Sequence, residues 1–413
     1  MFRRRHVPEW RNEQDNSGFS HHMPNDNKII CLSNVFDQHY HDLRGEKIDC
    51  SLTNAKRQAL FQCLELASGR EVILLSSPPK AAHRRAGKWL PPVETKFSTH
   101  RQFFCANWDA SKLRIPLSWF FYARHVLRHV RSGDLVLIDN YEFIYIVAAR
   151  LVQIFRRVTF ILDYEDGKHL IDRGWAGILS GLAEAGGRPL IRAATLAHPV
   201  LDERLPAGVP TELVPGFVPN RLSPRAPMPG GEVRFLYSGA LDHTRGVDLL
   251  LAALPHLPET GWHLDITGHG PLGESVARFL QDSRWQGKVK YHQALPPEAY
   301  ERVLAAAQAG LNCQRKSDPI SDVTFPSKVF TYLSVGLMVI SSNASCVEQI
   351  CGNACFYYEG ETPQALAGAM QAVIENFQEV RQKLDLSVVC ERYSPEATAE
   401  RLKRLLKTIG WES

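Results

Sequence analysis

In the run FPSKVFTYLSVGLMVISS, Phe325 to Ser342, a lysine occupies a place that ordinarily disfavours one. Pro326 and Ser327 open a predicted helix, Lys328 falls in its first turn, Gly336 stops it, and Leu337 to Ile340 form a short apolar strand. Unpaired N–H groups and the positive dipole end gather at such a start, so a lysine adds like charge unless an anion lies between. A bound diphosphate is an anion that fits. Arg245 stands in a comparable position, six residues after the Ser238-Gly239 turn that closes VRFLYSG and beside Gly246 at the opening of the next helix. Gly268-His269-Gly270-Pro271 follows a further apolar run, WHLDITG. Glycine at a strand-to-helix turn lets a ligand approach the backbone, at the sheet edge where α/β proteins bind ligands.

Two more clusters carry ionisable groups. Asp163, Glu165, Asp166 and His169 gather in DYEDGKHL just beyond VTFIL, where a carboxylate can accept a proton from a hydroxyl. Asp37, His39, His41 and Arg44 in NVFDQHYHDLRG follow the first predicted strand. Nine cysteines are scattered along the chain. Cys346, Cys351 and Cys355 are not spaced as a CxxC pair and no histidine completes a ligand set, so no metal is expected. Odd, dispersed thiols suit a reducing cytosol.

The elements that position these groups alternate. KIICLSNVF reads as a strand, LTNAKRQALFQCLELAS as a helix and EVILLSS as a strand; DLVLIDNY, FIYIVAARLVQIF and VTFILDYED repeat the order. This implies parallel sheets covered by helices, with right-handed crossovers. The Pro- and Gly-rich run ELVPGFVPNRLSPRAPMPGGE reads as a linker. After it VRFLYSG, VDLLLAALPHL, WHLDITG, PLGESVARFLQDS, VKYHQ, AYERVLAAAQA, GLNCQ and ACFYYE restart the pattern, and two helices close the chain. The expected division is a polar tail over 1–27, a first Rossmann-like domain over 28–215 and a linker over 216–232. A second such domain spans 233–390, and a helix over 391–413 crosses back to the first.

Composition sets outer bounds. The 413 residues are 44% hydrophobic and 22% charged, ordinary for a soluble globular chain, and the net charge is only +4. Between Lys80 and Arg131, however, eleven Lys and Arg face two acids, Glu94 and Asp109. Within that stretch RIPLSWFFYARHVLRHVR, residues 114–131, is a basic, aromatic, amphipathic helix suited to anionic lipid or to a core with an outward basic face. No compact basic-aromatic module suggests nucleic acid. The N-terminal MFRRRHVPEWRNEQDNSGF lacks the apolar run of a signal peptide, and no stretch is long enough to span a bilayer. A cytoplasmic protein is expected, in contact with the inner face of the plasma membrane.

The runs FLYSGALDHTRGVDLLLAAL, DITGHGPL and FPSKVFTYLSVGLMVIS resemble the donor-binding domain of family 4 retaining glycosyltransferases of GT-B architecture. The resemblance covers Val233 to about Phe377, and the first half more loosely. It implies an enzyme with two facing Rossmann-like domains, a UDP- or GDP-sugar in the second and a glycan or polyprenyl-linked acceptor in the first. No metal cofactor is implied, since no DxD motif is present. In the family a basic pair holds the diphosphate; Arg245 matches its second member, Ala240 replaces the first, and Lys328 is the substitute. Ser238, Gly239, Gly268, Gly270, Ser327 and Lys328 then bind donor. Thr331 stands where relatives carry a ribose-binding glutamate, and Asp318 and Asp322 are candidates for the sugar hydroxyls. Glu165 and Asp166 take the place of a His-Asp pair facing sugar and acceptor, and the Asp37, His39, His41 and Arg44 loop faces the acceptor. The implied activity is retaining hexosyl transfer in polysaccharide or lipopolysaccharide assembly. A non-catalytic sugar-nucleotide-binding subunit and a sugar-nucleotide epimerase of the same architecture are the alternatives.

Overall fold

The computed structural model describes residues 27–35, 51–77, 88–109, 114–165, 167, 174–219, 225–226 and 231–411. Asp37, His39, His41, Arg44, Asp166 and His169 lie outside them. The first half opens with β1 (Ile29–Leu32), α1 (Ser51–Ser68), β2 (Val72–Ser76), β3 (Lys88–Leu90), β4 (Val93–Phe97), β5 (His100–Phe104) and β6 (Asn107–Asp109). It continues through α2 (Arg114–His129), β7 (Leu135–Asp139), α3 (Phe143–Phe155), β8 (Thr159–Tyr164), α4 (Gly174–Gly187), β9 (Ile191–Leu196) and β10 (Thr211–Leu213).

These strands form one sheet in the order β10-β9-β8-β7-β1-β2-β5-β4, parallel except where β4 turns back on β5, with β3 and β6 paired apart from it. Strands β1, β2 and β7 are buried along their whole length because helices cover both faces. One face is covered by α2, α3 and α4 through Tyr122, Val126, Ala149, Val152 and Ala183. The other is covered by α1 through Leu60, Phe61 and Leu64. The β4–β5 hairpin went unread in the basic segment. Its turn uses Ser98 at φ +54° in place of a glycine, and only alternate residues such as Thr95 and Phe97 point inward.

The second half runs β11 (Val233–Ser238), α5 (Val247–Ala253), β12 (Trp262–Thr267), α6 (Gly273–Phe279), β13 (Val289–Tyr291), α7 (Pro297–Ala306) and β14 (Ala309–Asn312). Next come α8 (Lys328–Ser334), β15 (Met338–Ser342), α9 (Val347–Cys351), β16 (Cys355–Tyr358), α10 (Pro363–Gln382), α11 (Ser387–Tyr393) and α12 (Pro395–Thr408). The sheet order is β13-β12-β11-β14-β15-β16, all parallel. Both halves are thus doubly wound α/β units.

Helix α12 starts at Ser394, whose hydroxyl accepts from the Ala397 N–H, and then lies against α1 of the first half. Leu402, Leu405 and Leu406 share a core with Leu60 and Phe61, Arg401 pairs with Glu212 at 2.7 Å, and the Trp411 indole donates to Gly133 O. The halves also meet at their sheet edges, where the Gly167 N–H, just past β8, donates to Val323 O at 2.9 Å.

Candidate active site

The second half builds its part of the site from three loops and one lysine. Where β11 and β12 end, Gly239 and Gly268 take φ of +133° and +136°, open to glycine alone, and their backbones stack. A side-chain carbon on Gly268 would lie 1.8 Å from Gly239 O, and one on Gly270 would lie 2.5 Å from Leu241 O. Lys328 reaches this bare backbone from α8. Its Nζ lies 3.5 Å from where a side chain on Gly239 would begin, and 4.0 Å from the centre of the Tyr237 ring.

This ammonium is buried and has no hydrogen-bond partner among the described residues. Burial lowers its pKa to about 7, with the Cys313 thiol opposing and the Arg245 guanidinium adding to the shift. The Asp242 carboxylate offsets only part of this cost, and an arriving anion would remove more of it. The helix itself is only seven residues long and Lys328 is its first residue. The electrostatics therefore rest on where the lysine points, beneath the glycine turn, more than on a short dipole.

Arg245 is half-buried on the loop between Gly239 and α5, where its main-chain N–H donates to Asp242 Oδ1 at 2.8 Å. Its guanidinium donates to Gln314 Oε1, and buried Gln314 is held by Ser321 and Ser345. Asp318 caps the turn Pro319–Asp322 through Ile320 N–H and accepts from Thr244 Oγ1 at 2.8 Å. It thereby ties the Arg245 loop to the loop after β14. Asp322 is exposed and faces the first half: burial lowers the pKa of His198, and the Asp322 carboxylate opposes that shift.

The first half contributes a charged network at the ends of β7, β8 and β9. Glu165 Oε2 meets Lys56 Nζ at 2.8 Å, and the Glu165 N–H donates to Asn140 Oδ1. Asp139 accepts from Ser33 and pairs with Arg57 at 2.5 Å; Asp163 accepts from Thr195 Oγ1 at 2.7 Å. Burial, reinforced by neighbouring Glu165, pushes the Asp163 carboxyl well up. Glu165 Oε1 is enclosed without a hydrogen-bond partner among the described residues, which leaves one acceptor oxygen of this acid uncommitted there.

A cavity of about 330 Å³ joins the two halves, and Lys56 lines it together with Ser327 and Thr331 of α8, Tyr300 and Glu301 of α7, and Phe217 of the connecting segment. The structure thus brings Ser327 and Thr331 to the cavity that Lys56 lines, and Gly239, Gly268, Arg245 and Lys328 to one another. Ser238 is turned away: its hydroxyl is buried between Tyr300 and Tyr332. Thr331 Oγ1 donates back to Ser327 O at 3.2 Å. Tyr237, Gln314, Lys56, Asn140 and His198 went unread because their partners are distant in the chain. His198 had one local signal, a strand end followed by Pro199, and its Nδ1 does accept from the Val200 N–H.

Residues 232–376 match the family described as "Glycosyl transferases group 1", and the chain is a glycosyltransferase. No curated protein matches the sequence. Among solved structures, Anabaena HepE in complex with UDP and glucose superposes with a TM-score of 0.65 at 12% identity, over 92% of this chain and 100% of that one. Sucrose-phosphate synthase from Thermosynechococcus elongatus gives 0.62 at 13%, over 93% and 99%. The apo lipopolysaccharide outer core galactosyltransferase WaaB gives 0.59 at 15%, over 92% and 99%. At these identities the likeness establishes the fold, GT-B.

Proposed function

From a group 1 glycosyltransferase domain within a GT-B chain, we propose retaining transfer of a hexosyl group from a UDP- or GDP-sugar to a hydroxyl of a glycan or polyprenyl-linked acceptor, as in family 4. The observation that carries this is the unpartnered, buried Lys328 ammonium beneath the Gly239 backbone, close enough to Arg245 for the two charges to repel. A diphosphate seated there would be neutralised by both cations as the glycosidic bond breaks and negative charge collects on the leaving group. This reading calls for no metal. In this reading Glu165, at the end of β8, accepts the acceptor proton or offsets positive charge on the sugar, and the free Oε1 among the described residues supports that role. HepE, bound to UDP-glucose in one structure, supports a UDP-sugar donor, and WaaB, named as a lipopolysaccharide outer core galactosyltransferase, supports a cell-surface glycan role. In that role the protein works at the cytoplasmic face of the plasma membrane, with residues 114–131 toward lipid.

The test is nucleotide release from UDP- and GDP-sugars with the purified protein, alone and with lipid-linked acceptors. Lys328→Ala is expected to lower turnover by roughly 10² to 10³, the loss typical of removing one preorganised charge-stabilising donor. Unchanged turnover and donor affinity in that variant would place the site elsewhere. A nucleotide-sugar-binding subunit is the second reading, favoured by the Thr331 hydroxyl being spent on its own helix. Donor binding with no turnover on any acceptor would select it.

A further inference from the structure

Helix α4 presents Trp175, Ile178, Leu179 and Leu182 to solvent, at 81, 53, 37 and 57% exposure. Spacing of three and four residues lines them along one face. A solvated helix carries charge on such a face, yet α4 holds no basic residue and a single acid, Glu184, whose side chain is mostly buried beside Arg204. Apolar surface of this extent on a soluble domain marks a contact.

The surroundings say with what. Helices α2, α3 and α4 pack side by side over one face of the sheet. The outer side of α2 shows Phe120, 62% exposed, followed at four-residue steps by Arg124 and Arg128. The lower end of α3 shows Ile154 and Phe155, followed by exposed Arg156 and Arg157. Beyond α2, half-exposed Trp89 and Trp108 sit opposite one another on β3 and β6. Neither α2 nor α3 contains an acid. The layer is therefore apolar and cationic together, and two copies meeting by this face would set arginine against arginine.

We propose that the outer face of α2–α4 rests on a bilayer containing anionic phospholipid, with the Trp175 stripe entering the interface and the arginines on the headgroups. This revises the role of residues 114–131. Most of the apolar side of α2 is spent inside, where Tyr122 and Val126 are buried, Trp119 packs on Phe143 and Phe121 on Trp89. Helix α2 brings charge and α4 brings the apolar contact. Because α4 follows β8, Trp175 begins at the sheet edge that carries Glu165, so the same bilayer would present a lipid-linked acceptor at the mouth of the cleft. The inference rests on the glycosyltransferase reading only for that last step.

Vesicle co-sedimentation without donor tests it, with phosphatidylglycerol in phosphatidylcholine against phosphatidylcholine alone. The wild-type chain is expected on the anionic vesicles and to leave them as salt rises. A double variant, Trp175→Ala with Leu182→Ala, is expected to keep the wild-type melting temperature and donor hydrolysis and to lose at least about tenfold in partitioning. Arg124→Glu with Arg128→Glu is expected to remove the preference for phosphatidylglycerol. The proposal is overturned by wild-type protein that ignores both vesicles, by a double variant that partitions as the wild type does, or by a dimer in ultracentrifugation that the double variant dissolves. Vesicle binding in a protein that hydrolyses no donor leaves this inference standing and removes the function proposed above.

Discussion

Lys328 carries a charge that the folded protein opposes. Its pKa falls from the ordinary 10.5 to about 7 because the ammonium is buried. Between those values the unfolded chain holds a proton that the folded chain does not, so stability rises with pH across that window, and the penalty is full below pH 7. The expected outcome is a wild-type melting temperature that gains on that of Lys328→Met as pH is raised from 7 toward 10. The gain corresponds to a term on the order of a few kcal/mol. Parallel melting curves for the two proteins would show that Lys328 is ionised and compensated in the fold. At this scale the oddity of Lys328 was legible from its spacing to Pro326 and Gly336. The ring of Tyr237 beneath it was not, since it belongs to a strand far earlier in the chain.

The glycine turns act as elements, through the backbones of two adjacent strands. Gly268 stands at φ +136° with its α-carbon against Gly239 O, so Gly268→Ala adds a clash to a strained dihedral. A loss of at least about 2 kcal/mol is expected in chemical denaturation, together with weakened nucleotide-sugar binding in titration. Full affinity in a stable Gly268→Ala protein would show that the paired turns do not shape the donor site. Such turns are legible because glycine punctuates an apolar run within a few residues. The hairpin of β4 and β5 was hidden: its turn residue is a serine, and its exposed positions carry Glu94, Lys96 and Arg101.

At the scale of the molecule, α12 belongs by sequence to the second half and by packing to the first. Leu402 and Leu406 fill the face of α1 that the sheet leaves free. Replacing both by alanine is expected to remove roughly 4 kcal/mol or more from the first half, given the usual cost of a large-to-small core change. Limited proteolysis should then cut within the first half before the second. Equal protection of both halves would show that α12 does not hold that layer. The crossing also helps hold the two sides of the cavity together, with Lys56, paired to Glu165, on one side and Ser327 and Thr331 on the other.

Taken alone, the sequence determined most of the alternating elements, though not the β4–β5 hairpin or α4, together with the restart after the linker and the glycine turns. These signals are written within one element or across one turn, where hydrophobic period and backbone preference act locally. Only the tertiary structure decided what each charge faces. Lys56 meets Glu165, Lys328 meets the backbone of Gly239, and α4 turns its apolar stripe outward. Those outcomes depend on strand order and helix packing, which bring together residues distant in the chain.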